Sequence, residues 1–272
     1  PRDAGPTPPP FDDETPKMRG PLVKRQSPAG QRVVTELEKQ ARRLEATFAR
    51  ELGNDFDRLG QDAATAYLEA AEGKADDDAG LVARIVGSLN LGQWHQDHIK
   101  IRFQLHYGRT AKNTVDTINS LLDLGLMLPD EVQSRIIARG GTRAGLVDVE
   151  KQTRDTIMNA IKLGREEGWG PDRVARAIRA DVPAGRFANG AGSKYRAEMI
   201  ARTETKFAQN VSSIQAYKAS DTITAVVAYD GRLGDSDEHC IARNGQTFTF
   251  EQADAELADE HPNGTLSFGP LV

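Results

Sequence analysis

The chain has 272 residues, 38% of them hydrophobic and 6% aromatic, and its 35 basic and 40 acidic side chains leave a net charge of -5. That balance excludes a uniformly basic nucleic-acid binder while permitting a local basic face, and the thin apolar content implies that neighbouring chains supply part of the burial. The single cysteine excludes an intramolecular disulfide, and no apolar run approaches the ~20 residues needed to span a bilayer, so synthesis in a reducing cytoplasm is expected.

Residues 1–30 carry eight prolines, Pro1, Pro6, Pro8, Pro9, Pro10, Pro16, Pro21 and Pro28, and few large apolar side chains. This composition cannot fold alone and reads as an extended arm, neither signal peptide nor anchor. The arm docks along a partner chain or wraps back on its own domain. A start at Pro1 fits loss of an initiator methionine or a numbering that begins inside a longer precursor. Candidate partner-binding residues are Pro8, Pro9 and Pro10 of the arm with Val34, Leu37 and Leu44 of the helix that follows.

From Gln31 the period changes. Val34, Leu37, Ala41, Leu44 and Phe48 recur three and four apart, and the stripe resumes at Leu52, Phe56 and Leu59 beyond Gly53. One long amphipathic helix or two stacked ones are predicted, with a further helix over 62–72. The aspartates at 76–78 lack calcium-loop spacing and read as a solvated linker and N-cap. Helices follow over 81–90 and 91–123, the second with Trp94, Ile101 and Leu105 on one side. His95 and His98 lie three apart and could ligate a metal, but no glutamate stands in the zinc-protease position and an ordinary histidine pair is the preferred reading. Lys100, Arg102, Arg109 and Lys112 form either a possible DNA-contacting stripe or a solvated face.

Pro129 and Pro171 are expected in the first turns of two further helices, on either side of a helix over 148–163. Trp169 reads as a core anchor. Residues 183–193 read as a connecting loop, since Gly190-Ala191-Gly192-Ser193 lacks the setting of a phosphate loop.

The helix that follows carries Arg196, Arg202, Thr203 and Glu204 in the gap of an apolar stripe made by Ile200, Phe207, Val211, Ile214 and Tyr217. A carboxylate there needs a partner, with Arg196, Arg202 or the backbone of a later segment as suppliers. The group is a structural polar clamp or a catalytic pair. Beyond it come a β-branched strand, Val226 to Tyr229, then Asp237-Glu238-His239-Cys240, Asn244-Gly245 and His261-Pro262-Asn263.

In that order the Arg-Ala-Glu-x-Ile-Ala-Arg-Thr-Glu-Thr helix, the Asp-x-x-Cys turn, the Asn-Gly turn and the His-Pro-Asn ending resemble the phage Mu F-like minor head proteins. The resemblance covers about the last third of the chain, from near Gly168 to Pro270. It implies a minor virion component at or near the portal vertex inside the capsid, acting in head assembly or genome delivery. No cofactor and no catalytic residues follow from it. The chain departs from the family at the cysteines: Arg243 follows Cys240, and Gly264 and Leu266 stand in the final cysteine positions. Only Cys240, His239 and His261 remain as weak metal candidates, with Asp235 or Asp237 as fillers, too few good ligands for a structural zinc.

The expected fold is mainly α: an extended arm over 1–30, a helical region over 31–144, and a small C-terminal α+β module over 145–272. Its sheet is to use Val226 to Tyr229, Gln246 to Phe250 and Thr265 to Phe268. The expected function is structural: a minor capsid protein of a tailed phage, in multiple copies in the virion and in host cytoplasm during assembly. Its expected partners are the portal protein, the major capsid protein and packaged DNA, with no membrane. The competing reading is a metal-dependent hydrolase or virion-carried effector built on Asp235, Asp237, His239 and His261.

Overall fold

The computed structural model describes residues 27–72, 77–139, 148–185, 192–230, 238–262 and 264–272. The proline-rich arm, including Pro8, Pro9 and Pro10, lies outside the described residues apart from its last few positions.

Helix α1 runs unbroken over Pro28–Ala71. Ser27 caps it by accepting from the Gly30 amide at 3.0 Å, and Pro28 occupies the first helical position, where a missing N–H costs nothing. Of the two alternatives, one long helix or two stacked ones, the structure has the first, and the separate helix expected over 62–72 is its continuation. A mid-helix glycine costs about 1 kcal/mol. Continuity aligns Leu52, Phe56, Leu59 and Ala63 on one buried face, which outweighs that cost.

Helix α2 (Asp78–Ser88) and the short α3 (Leu91–Trp94) lead into a π-turn, His95–Lys100, and then α4 (Ile101–Leu122). The π-turn explains one reversal of expectation. Trp94 is buried, but Ile101 and Leu105, predicted to share its face, are 49% and 54% exposed. The extra residue in a π-turn rotates everything after it, so Ile99, Phe103 and Tyr107 enter the core instead.

Helix α5 spans Asp130–Ala138, with Pro129 as its N-cap and not inside its first turn. Helix α6 spans Val149–Glu166. Helix α7 spans Pro171–Ala184, and its last turn takes in Pro183, which had been assigned to a loop. Gly60 of α1 is required where α1 and α7 touch, because a Cβ there would stand 2.5 Å from Pro183 Cγ.

Helix α8, Gly192–Lys218, is buried on nearly all sides, packed among α1, α4 and α7. Its buried polar groups have work to do. Asn210 donates to the Leu266 carbonyl at 2.8 Å and accepts from the Phe268 amide at 3.2 Å, and Gln209 donates to the Leu37 carbonyl at 2.8 Å. These bonds seat a three-stranded antiparallel sheet of order β2-β1-β3: β1 Val226–Tyr229, β2 Thr247–Phe248 and β3 Ser267–Pro270. Val226 pairs with Phe248 on one side and with Pro270 on the other. Two short helices, α9 (Glu238–Arg243) and α10 (Phe250–Ala258), flank β2.

The main apolar core runs from Val33 through to Phe268, so the division proposed at residue 144 does not separate two cores. Val34 packs on Val227 and Tyr229, and Leu37 is 2% exposed. Both were expected to meet a partner chain. The sheet of the same chain covers Val34 instead, and Leu37 enters the main core. Leu44 remains half-buried. No helix among the described residues is long and apolar enough to cross a membrane.

Candidate docking cleft along the central helix

The polar group on α8 is a buried clamp whose partners differ from those expected. Glu204 accepts a hydrogen bond from the Tyr107 hydroxyl of α4 at 2.5 Å, and both residues are fully buried. Arg202 and Glu204 are two apart on one helix and therefore face different ways. Arg196 turns elsewhere: its guanidinium lies 4.1 Å above the Phe56 ring and donates to the Pro183 carbonyl at 3.1 Å. Thr203 donates to the Met199 carbonyl at 2.8 Å.

One residue on, Thr205 donates to the Ala201 carbonyl at 2.6 Å, so its oxygen accepts from His106 Nε2–H at 2.8 Å. His106 stacks on Phe48 with ring centroids 4.0 Å apart. Burial, with a smaller contribution from Arg109, pushes its pKa down to about 3, so the ring is neutral at pH 7.

At the end of the sheet Arg243 and Gly264 work together. Arg243 is 3% exposed and pairs with Asp230 at 2.5 Å, with Glu260, and with Glu256 at 3.5 Å. Thr265 donates to the other Asp230 oxygen at 2.6 Å. Burial opposes the Arg243 charge, but Glu260 and Asp230 hold its pKa above the usual value; burial likewise raises Glu260, against the pull of Arg243. A Cβ on Gly264 would lie 1.6 Å from Glu260 Oε1, so the glycine opens the path by which Glu260 reaches Arg243. Leu266 is buried in the core.

The metal candidates are divided among other contacts. His239 meets Glu256 at 3.0 Å; His261 Nε2 lies 3.4 Å from Cys240 Sγ while its Nδ1 donates to the Pro262 carbonyl at 3.0 Å. Among the described residues no three side chains are grouped to hold a metal ion, and Asp235 and Asp237 lie outside them. His98 is likewise engaged, 3.3 Å from Asp55.

The proposed DNA stripe is largely consumed. Arg102 forms a two-point pair with Asp55, one bond at 3.1 Å, and approaches Glu51 at 3.5 Å. Lys112 pairs with Asp116 at 2.5 Å. Lys100 and Arg109 are exposed.

A cleft of about 600 Å³ lies between α1 and α8. Its floor is small, Ala46, Ala49, Gly53 and Ala197, and Arg42, Arg50, Lys194 and Arg202 stand around it. A second hollow of about 410 Å³ shares Arg42, Glu45 and Arg202 and extends the cleft to Lys206 and Thr265. Glu45 sits where the two meet; burial raises its pKa, against the opposing pull of Lys206, Arg202 and Arg42. A Cβ on Gly53 would find only Ala197 Cβ, at 3.9 Å, so nothing among the described residues requires this glycine. Ala46, Ala49 and Gly53 of α1 with Ala197 of α8 leave room for a third helix to approach closely, between the charged side chains of Arg42, Asp57, Glu198 and Arg202. Arg202, expected as a partner of Glu204, lines the cleft, and Tyr107, Asp230 and Glu45 were not marked by the sequence as members of either site. Comparison of the chain with protein-family models, with characterised proteins and with solved structures gives no match.

Proposed function

We propose that this chain is a structural protein of a tailed-phage head, held in several copies at or near the portal inside the capsid and acting in head assembly or genome delivery. The observation that carries the reading is where the side chains of the Arg-Thr-Glu-Thr helix go. Thr203, Glu204 and Thr205 turn inward and tie α8 to α4 and to itself, and the hollow that Thr203 lines holds only about 10 Å³. A helix so fixed is a rigid wall for the adjoining cleft, into which a helix of the portal protein or of the major capsid protein packs over Gly53 and Ala197. The hydrolase reading draws no comparable support, since His239 and His261 are engaged with Glu256 and Cys240.

The test is composition and position. Heads purified from the phage that encodes the chain should contain it in several copies by quantitative mass spectrometry, and a labelled chain should map to the portal vertex by electron microscopy. Absence from purified heads overturns the proposal. Within such heads, Gly53→Leu should exclude the chain while leaving its fold intact by circular dichroism; normal incorporation of that variant would move the contact elsewhere on the surface.

A further inference from the structure

We propose that the outward face of α7 binds the phosphate backbone of duplex DNA through Arg173, Arg176 and Arg179, independently of sequence. In α7 the buried positions Val174, Ala175, Ile178 and Val182 define the inner face, and the three arginines fall together on the opposite side, all exposed. With a rise of 1.5 Å per residue their Cα atoms are spread over about 9 Å of helix, which suits two or three successive phosphates of one strand.

Three observations separate this patch from the other basic surfaces. First, these arginines are not neutralised by an acidic partner: among the described residues none is in an ion pair, in contrast to Arg102 and Lys112 of α4. Asp172, in the first turn of α7, is the acidic residue on the same face, leaving it net positive. Second, Arg176 and Arg179 border a hollow of about 410 Å³ between α7 and α1, where Gln61 and Thr65 add neutral hydrogen-bonding groups beside the guanidiniums. Arginine presents a planar fork that matches phosphate in two-point contacts.

Third, the floor of that hollow is Ala64, Leu68 and Ala175, with no large aromatic anchor of the kind that dominates protein–protein contacts. Trp169, the nearby aromatic, is half-buried and covered by Arg173, whose guanidinium lies 4.2 Å from the ring centre. No ring is therefore offered for unpaired bases to stack on, which favours a duplex backbone over a single strand. The assignment rests on charge and geometry and stands or falls separately from the head-protein reading. A net charge of -5 on the whole chain makes the contact local and weak.

Fluorescence anisotropy with two unrelated 25-base-pair duplexes, on the full chain, tests it. Both duplexes should bind equally, in the micromolar range at about 50 mM salt. Changing Arg173, Arg176 and Arg179 together to Gln should weaken binding about tenfold or more and reduce the slope of log K against log salt by about 2 to 3. The pair Lys100→Gln and Arg109→Gln on α4 should change it less than about twofold by the same reasoning. Circular dichroism confirms that each variant is folded. No binding by the wild type, unchanged binding by the triple variant, or displacement of the duplex by poly-L-glutamate at equal charge concentration would overturn the assignment, the last marking a site for an acidic protein.

Discussion

Tyr107 of α4 and Glu204 of α8, 97 residues apart in sequence, share a 2.5 Å hydrogen bond sealed from solvent. It joins the helix with the most informative sequence to one whose sequence drew attention only for its histidines and cations. Because the donor is a neutral phenol, losing either side chain should cost about 1.5 to 3 kcal/mol, less than breaking a buried ion pair. Tyr107→Phe and Glu204→Ala are expected in that range by urea unfolding of the full chain, and Glu204→Gln at clearly less, since it keeps shape and an acceptor. Wild-type midpoints for both Tyr107→Phe and Glu204→Ala would remove the clamp.

His106 makes stability depend on pH. Its folded pKa of about 3 lies below the unfolded value of 6.5, so the unfolded chain binds the extra proton between the two. Its contribution is complete above pH 6.5 and is lost as pH falls, by about 1.4 kcal/mol per unit while only the unfolded state is protonated. His106→Gln should flatten that part of the profile between pH 6.5 and 4. If wild type and variant lose stability in parallel there, the ring is not held neutral by the fold.

Arg243 should be among the costliest positions. Arg243→Leu leaves Asp230 and Glu260 facing each other at the end of the sheet, an expected loss of about 3 to 5 kcal/mol. Gly264→Ala pushes against Glu260 and should cost about 1 to 3 kcal/mol. Equal stability of wild type and Arg243→Leu in urea would show that the cluster contributes nothing net.

Zinc is expected to be substoichiometric in protein purified without chelators, because an arginine occupies the centre of the polar cluster at the sheet end and Cys240 faces His261 there. Elemental analysis giving one zinc per chain, lost on Cys240→Ser, would contradict this.

Removal of residues 1–26 leaves the Ser27 cap in place. Helical content by circular dichroism should be unchanged, and incorporation into heads should be abolished. Wild-type incorporation of the truncated chain would show that the arm is not the attachment device.

Spacing along the chain was enough to locate most of the longer helices and, within two residues, the three strands, since amphipathic period and turn residues are local properties: Val174 and Ile178 are buried as their interval implied, and β1 spans Val226–Tyr229 as its β-branched run implied, whereas α9 and α10 had not been expected and Phe250 starts a helix where a strand was expected to end. The sequence also marked Glu204 as a group that needed a partner. What it could not supply was the partner itself, because a hydrogen bond across 97 residues depends on how α4 is rotated, and that rotation is set by the π-turn at His95–Lys100. The same holds for Val34 and Leu37, apolar on a helix face and therefore readable as interface or as core. Only the packing of α1, over the sheet at Val34 and into the main core at Leu37, decided for core, since a side chain's local pattern fixes that it is to be buried and tertiary contact alone fixes against what.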